Sequence, residues 1–254
     1  MSSYRFTKMQ GLGNDFVVID GPTKPSSEEV VRLCDRRFGI GADGLLVVSS
    51  GSPVVMDYWN ADGSSAEMCG NGLRCVARYA YDKGWADSAE FEVDTPVGLR
   101  RVRVSEELVE AEIGPALIEG EETIDGEVYR LVDTGNPHAV RVVDDLDSID
   151  LSRIGPLVAG QAGFDAGCNV ELVVLGEGEV SMRVWERGVG ETLACGTGMV
   201  AAASVALEGG DGVIRVHVPG GEGQVEIKDK VAWLTGPAEY VFTGEIDSGA
   251  IDQG

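Results

Sequence analysis

Short apolar runs, too brief for a helix and bounded by glycine or aspartate, recur along the chain. Residues 16–19 and 45–48 are unbroken runs rich in β-branched side chains, and residues 54–59 continue the theme; all three predict strands. Residues 91–94, 99–104 and 109–113 predict further strands. The same grammar returns at 139–143, 172–175, 180–185, 213–218, 224–227 and 231–234. Two segments break it. Residues 73–83 have helical length and stop at Gly84, and the Ala-rich residues 199–208 stop at Gly209-Gly210. Each follows a Cys-Gly-x-Gly sequence.

The recurrence is an internal repeat. At an offset of 126 residues Phe38 falls on Phe164, Gly41 on Gly167, Leu46 on Leu172, Trp59 on Trp185, and Cys69-Gly70-x-Gly72 on Cys195-Gly196-x-Gly198. At an offset of 122 Gly13-Asn14 falls on Gly135-Asn136, and Gly114-Pro115-Ala116 on Gly236-Pro237-Ala238. We expect an α+β fold of two pseudo-symmetric homologous halves, residues 1–120 and 121–254. Each half is a mostly antiparallel sheet or small barrel around its central helix. The active site is expected in a cleft between the halves.

Charge narrows the function classes. The 43 Asp and Glu against 20 Lys and Arg leave a net charge of −23, spread along the chain. Such a chain repels nucleic acid and anionic membrane, which bind through basic patches. The excess suits a high-salt, halophilic cytoplasm, where salt screens self-repulsion. The longest apolar run, residues 199–203, is five residues, and the first twenty residues hold no apolar signal segment. A cytoplasmic protein is therefore expected. Its expected partner is a small-molecule substrate, and a homodimer is compatible with the pattern. The five cysteines are odd in number and form no CxxC, and His138 and His217 close no zinc site with them. Neither a disulfide framework, a metal nor a cofactor is expected.

A cysteine at a helix N-terminus has its thiolate favoured by free N–H groups and the helix dipole. The glycines beside it let backbone amides approach a carboxylate. One such motif per half supplies two thiols and two sets of amides. That equipment suits inversion at a carbon bearing hydrogen: a thiolate takes the proton from one face and a thiol returns one to the other. Each amide aimed at the developing charge can contribute about 2.7–4 kcal/mol. Cys69 and Cys195 are the candidate acid/base pair, whereas Cys34, Cys75 and Cys168 read as core. A protein that only holds a small anion on its glycine motifs is the non-catalytic alternative.

The residues at these positions are similar to those of the diaminopimelate epimerase family. The resemblance rests on Lys8-Met9-Gln10-Gly11-Leu12-Gly13-Asn14-Asp15-Phe16, Asn60-Ala61-Asp62-Gly63-Ser64, Cys69-Gly70-Asn71-Gly72-x-Arg74-Cys75, Gly135-Asn136-Pro137-His138 and the run from Glu186-Arg187-Gly188 to Cys195-Gly196-Thr197-Gly198. It implies cofactor-independent interconversion of LL- and meso-diaminopimelate in lysine biosynthesis, with Cys69 and Cys195 as catalytic thiols. It implies that His138 and Glu186 tune their pKa values. It places Asn14, Asn60, Gly70, Asn71, Asn136, Asn169, Glu186, Arg187, Gly196 and Thr197 at substrate-binding positions. Arg187 with Asn60 and Asn169 is expected to take the distal carboxylate of the substrate, and Glu186 its distal ammonium. Three positions depart from the family pattern: Gln10 where many members carry His, Gly44 where some place Gln, and Cys168 where Thr or Val is common. A proline or hydroxyproline racemase of the same fold is the nearest rival; those enzymes typically have His where this chain has Asn71.

Overall fold

The structure, a computed structural model, describes residues 3–65, 69–164 and 167–247. The chain divides into two compact units, Met1–Ala111 with Pro237–Gly254, and Glu112–Gly236.

The first unit opens with the hairpin of β1 (Ser3–Gly11) and β2 (Asn14–Asp20). Helix α1 (Ser27–Cys34) follows, started by a capping box in which Ser26 accepts from the Glu29 N–H and Glu29 accepts from the Ser26 N–H. Then come β3 (Gly44–Ser49), β4 (Val54–Asn60), α2 (Gly70–Asp82), β5 (Glu90–Thr95), β6 (Gly98–Val104) and β7, which starts at Leu108 (Leu108–Pro115). In the second unit the order is β8 (Leu117–Ile124), β9 (Glu127–Asp133), β10 (Pro137–Val142), α3 (Leu151–Ala159), β11 (Asn169–Leu175), β12 (Glu179–Glu186), the short β13 (Gly190–Thr192), α4 (Gly196–Ala206), β14 (Gly212–Val218), β15 (Gly221–Lys228) and β16 (Val231–Pro237). The last strand, β17 (Glu239–Asp247), returns to the first unit, where it pairs antiparallel with β1. The expected halves had placed this strand with the C-terminal half. Backbone pairing across eight residues of β1, sealed by the edge-on Phe6–Phe242 ring contact, assigns it instead.

The two units share one topology. β2–β3, β4–β5, β10–β11 and β12–β14 are parallel, and the remaining named neighbours are antiparallel. In the first unit α2 packs against β1, β2, β3, β4 and β6. In the second, α4 packs against β8, β9, β10, β11, β12, β14 and β15. Each is thus the helix around which its sheet curls, and α4, apolar on every side, is buried from Gly196 to Val205. Buried cysteines outside the helix starts pack as small apolar groups: Cys34 with Val30 and Leu33 beneath β3, and Cys168 with Ala139 and Val170. All the cysteines are free.

Both central helices begin three residues earlier than the sequence pattern predicts, at Gly70 and Gly196 rather than Leu73 and Met199. Glycine is a poor helix former, but in a first turn the N–H groups are free of intrahelical partners, so capping decides the start. Here the cysteine is the cap: Cys69 Sγ accepts from the Gly72 N–H at 3.3 Å, and Cys195 Sγ from the Gly198 N–H at 3.4 Å. β1, β8, β9, β13, β17 and α3 escape the apolar-run criterion because their polar positions outnumber or interrupt the apolar ones.

The strand registers also correct the repeat by one residue. The 126-residue frame pairs Leu46 with Leu172. Leu46 lies opposite Tyr58, and Glu171 opposite Val184. Tyr58 and Val184 are matched residues, so the counterpart of Leu46 is Glu171. The glycines confirm it: a Cβ on Gly72 would meet Leu46, and a Cβ on the matched Gly198 would meet Glu171.

Candidate active site residues

The first unit collects Asn14, Asn71 and Cys69 around one oxygen. Asn14 starts β2, and its Oδ1 accepts from Asn71 Nδ2 at 3.3 Å and from the Cys69 thiol at 3.7 Å. Its Nδ2 donates to Asp43 Oδ2 at 2.8 Å, so its amide orientation is fixed at both ends. Asp43 is in turn held by Arg36, which also grips Asp15. Burial alone would push the Asp15 carboxyl up, but hydrogen bonds from Arg36 and Lys8 hold it down at about 2. Asn60 ends β4 and donates to Ser64 Oγ at 3.0 Å. Gly70 and Asn71 supply the first two amides of α2.

The second unit builds a longer chain behind its thiol. Cys195 is 6 % exposed. Its sulfur lies 3.4 Å from Thr197 Oγ1, which accepts from Asn136 Nδ2 at 3.3 Å. Asn136 Oδ1 is 3.1 Å from His138 Nε2, and His138 Nδ1 is 2.6 Å from Glu171 Oε1. His138 and Glu171 are both fully buried. Glu186, at the end of β12, accepts from the Thr192 hydroxyl and interacts with Cys195. Burial pushes Glu186 up. Burial, followed by the Glu186 and Glu171 carboxylates, pushes Cys195 well above the ordinary thiol range, against the hydrogen bonds from Thr197 and the Gly198 N–H.

The unit-by-unit geometry therefore joins Cys69 with Asn14 and Asn71, and Cys195 with Thr197, Asn136, His138 and Glu186. Asn169 and Arg187 form a separate pair, in which Asn169 Oδ1 accepts from the Arg187 N–H at 2.9 Å while the Arg187 guanidinium donates to Gly167 O. Gly196 and Thr197 supply the first amides of α4. Of the departures from the family pattern, Gln10 holds the β1–β2 turn by accepting from the Gly13 N–H, and donates to Glu239. A side chain at Gly44 would begin 2.5 Å from the Tyr58 ring.

Sequence reasoning missed Glu171 and Arg74. Each had a signal: Glu171 is a lone carboxylate in the apolar run of β11, and Arg74 stands between the apolar Leu73 and Cys75-Val76-Ala77 of α2. Both are fully buried. Among the described residues no group of three or more His, Cys, Asp or Glu side chains is arranged to hold a metal ion.

Comparison with known proteins agrees along nearly the whole chain. The family profile described as Diaminopimelate epimerase matches residues 6–118 and 130–241. A diaminopimelate epimerase of Corynebacterium aurimucosum is 44 % identical, the alignment covering 95 % of this chain and 99 % of that one. One from Desulfitobacterium hafniense is 40 % identical over 93 % and 96 %, and one from Methanococcus maripaludis 38 % identical over 96 % and 99 %. Among solved structures, a PhzF-family phenazine biosynthesis protein of Bacillus anthracis superposes with a TM-score of 0.76 at 17 % identity, covering 97 % of this chain and all of the other. A hydroxyproline epimerase of Agrobacterium vitis does so with a TM-score of 0.76 at 14 % identity, covering 97 % and 91 %. At those identities the superpositions speak for the fold alone. With the profile spanning both repeats and full-length relatives near 40 % identity, the chain belongs to the diaminopimelate epimerase family.

Proposed function

We propose that the protein interconverts LL- and meso-2,6-diaminopimelate without a cofactor, by a two-base thiolate/thiol mechanism, as a step of lysine biosynthesis. The observation that carries this reading is the matched pair of N-cap cysteines. Cys69 and Cys195 occupy the same position of the repeat, and each sulfur accepts from the N–H of the glycine three residues on. A two-base inversion needs one proton carrier for each face of the α-carbon, and each unit contributes one.

In the forward direction one cysteine, as thiolate, takes the α-proton, and the other, as thiol, delivers its proton to the opposite face. The roles exchange in reverse. The amides of Gly70, Asn71, Gly196 and Thr197 hold the carboxylate next to the reacting carbon and stabilise charge as it builds there. Asn14 and Asn136 fix the helix-start side chains around the thiols. Glu186 and His138 adjust the proton affinity of Cys195, Glu186 directly and His138 through Asn136 and Thr197. Arg187, Asn169 and Asn60 receive the distal carboxylate, and a planar guanidinium suits that task because it binds a carboxylate with two parallel bonds. This reading places the reaction in the cytoplasm.

Incubation with LL-diaminopimelate in heavy water tests the reading. The α-hydrogen should exchange as meso product forms, and both should vanish in Cys69→Ala and Cys195→Ala while Cys34→Ala and Cys168→Ala retain turnover. Binding of diaminopimelate with no exchange would indicate an anion-binding protein instead. Proline racemised faster than LL-diaminopimelate would transfer the assignment to the proline class.

A further inference from the structure

Glu171 is a carboxylate in the middle of an apolar strand, and the reaction above gives it no task. Its side chain is fully buried. Oε1 lies 2.6 Å from His138 Nδ1, and Oε2 is buried with no hydrogen-bond partner. The fold does not require this pair, because the matched positions of the first repeat hold Phe16 and Leu46, buried as well. Apolar replacement of a buried ion pair is often neutral or stabilising, so its presence in one repeat only calls for a purpose other than packing.

Charge balance decides where the protons of the pair lie. The elements packed against β11 bring Glu171 no other cation. On β10, Arg141 pairs with Glu127. On β12, Arg183 pairs with Glu191 and Glu179 with His217, while Glu186 takes the Thr192 hydroxyl and faces Cys195. Arg153, the one ionisable residue of α3, is exposed, and α4 has none. Before β11, Cys168 is a buried thiol and Arg187 donates to Gly167 O. A carboxylate beside a neutral ring would leave a net charge in a site closed to water, whereas a carboxylate beside an imidazolium leaves none. The ring is also the tighter proton binder of the two groups, by about two units in their reference values.

Both ring nitrogens then donate, as their neighbours require: Nδ1 faces Glu171 Oε1, and Nε2 faces Asn136 Oδ1 at 3.1 Å. Asn136 Oδ1 also accepts from the Thr134 hydroxyl at 3.0 Å, so its Nδ2 is turned to Thr197 Oγ1 at 3.3 Å. That leaves the Thr197 hydroxyl to donate to Cys195 Sγ at 3.4 Å. The first repeat does the reverse: Asp43 holds Asn14 Nδ2, and Asn14 turns an acceptor oxygen to the Cys69 thiol. We infer that Glu171 is a positioning residue that keeps His138 doubly protonated, so that each hydrogen bond from the ring through Asn136 and Thr197 points its hydrogen toward Cys195 and favours the thiolate there. The inference rests on the two-thiol reading for its purpose: Cys195 has to give up its proton on one face of the substrate in a site where burial and the Glu186 carboxylate oppose the thiolate.

Nitrogen-15 NMR of the substrate-free, histidine-labelled protein at neutral pH reads this without turnover. Only His138 and His217 give ring signals, and His217→Gln tells them apart. Both nitrogens of His138 should carry a proton. In Glu171→Gln, which keeps the shape but cannot balance an imidazolium, the ring should be neutral. Alkylation of Cys195 by iodoacetamide, followed by peptide mapping and normalised to Cys69, should then slow about tenfold, the equivalent of one unit in thiol pKa. A neutral His138 ring in the native protein overturns the inference whether or not Glu171→Gln folds. A ring still doubly protonated in folded Glu171→Gln overturns it too, and so does Cys195 alkylation that is unchanged or faster, the latter being the result for a carboxylate that acts on the thiol by its charge alone. A doubly protonated, Glu171-dependent ring with the slowed Cys195, in a protein that does not exchange the α-hydrogen, would uphold Glu171 and refute the epimerase reading, so the two fail separately.

Discussion

The buried His138–Glu171 pair can be replaced by the apolar pair that the first repeat uses in its place, Phe16 and Leu46. Glu171→Leu alone strands the His138 Nδ1 in a site with no solvent access. His138→Phe alone strands a carboxylate whose Oε2 has no hydrogen-bond partner even now. Removing one partner of such a pair costs about 3–5 kcal/mol, because the other group stays buried and uncompensated. At about 2–4 °C per kcal/mol for a chain of this size, each single variant should melt roughly 6–20 °C lower. His138→Phe/Glu171→Leu removes both polar groups and should return to within about 1 kcal/mol of the parent, as apolar replacements of buried ion pairs do. The coupling between the sites should then be several kcal/mol in a double-mutant cycle, measured by urea unfolding followed through Trp185 and Trp233 fluorescence. Activity should not return with stability, because the chain from His138 through Asn136 and Thr197 to Cys195 is gone. A double variant as unstable as the sum of the singles would refute the pairing of Glu171 with Leu46. One with parental kcat/KM would refute the role of His138 in tuning Cys195.

The two helix-start glycines should differ in tolerance. A Cβ on Gly198 would begin 2.8 Å from Glu171 Oε1, which His138 holds in place, whereas on Gly72 the nearest atom is Leu46 Cδ2 at 3.3 Å. Gly198→Ala should therefore lower the melting temperature more than Gly72→Ala, and equal shifts would contradict the glycine's packing role. Stability should fall above about pH 8.5, where unfolded thiols release their protons. Burial keeps Cys34 and Cys168 protonated up to about 12, so the folded state holds protons that the unfolded state has lost. Each contributes a slope of up to ~1.4 kcal/mol per pH unit, and a Cys34→Ala/Cys168→Ala variant should fall less steeply between pH 8.5 and 10.5; parallel curves would rule this out. With a net charge of −23, melting temperature and activity should rise from low salt to molar KCl as repulsion is screened; a flat or falling profile would remove the high-salt reading.

The apolar runs gave most strands and the two central helices, because a strand buried on both faces or a helix stopped by glycine writes its period into the chain. The Cys-Gly-x-Gly motifs gave the thiols because local capping is a short-range matter: the sulfur, the glycines and the amides they serve lie within four residues. Such features are decided by neighbours in sequence, and the sequence by itself determined them. The membership of β17, the one-residue slip that pairs Glu171 with Leu46, and the burial of Arg74 were decided by tertiary structure alone. Strand pairing joins residues more than two hundred positions apart, as in Ser3 with Asp247. A slip of one residue between strands turns every side chain to the opposite face, so a repeat frame aligned on apolar letters can be right in period and wrong in facing. Whether a charge in an apolar run faces solvent or is buried, as Arg74 and Glu171 are, depends on which elements close over it, and only the folded chain decides that.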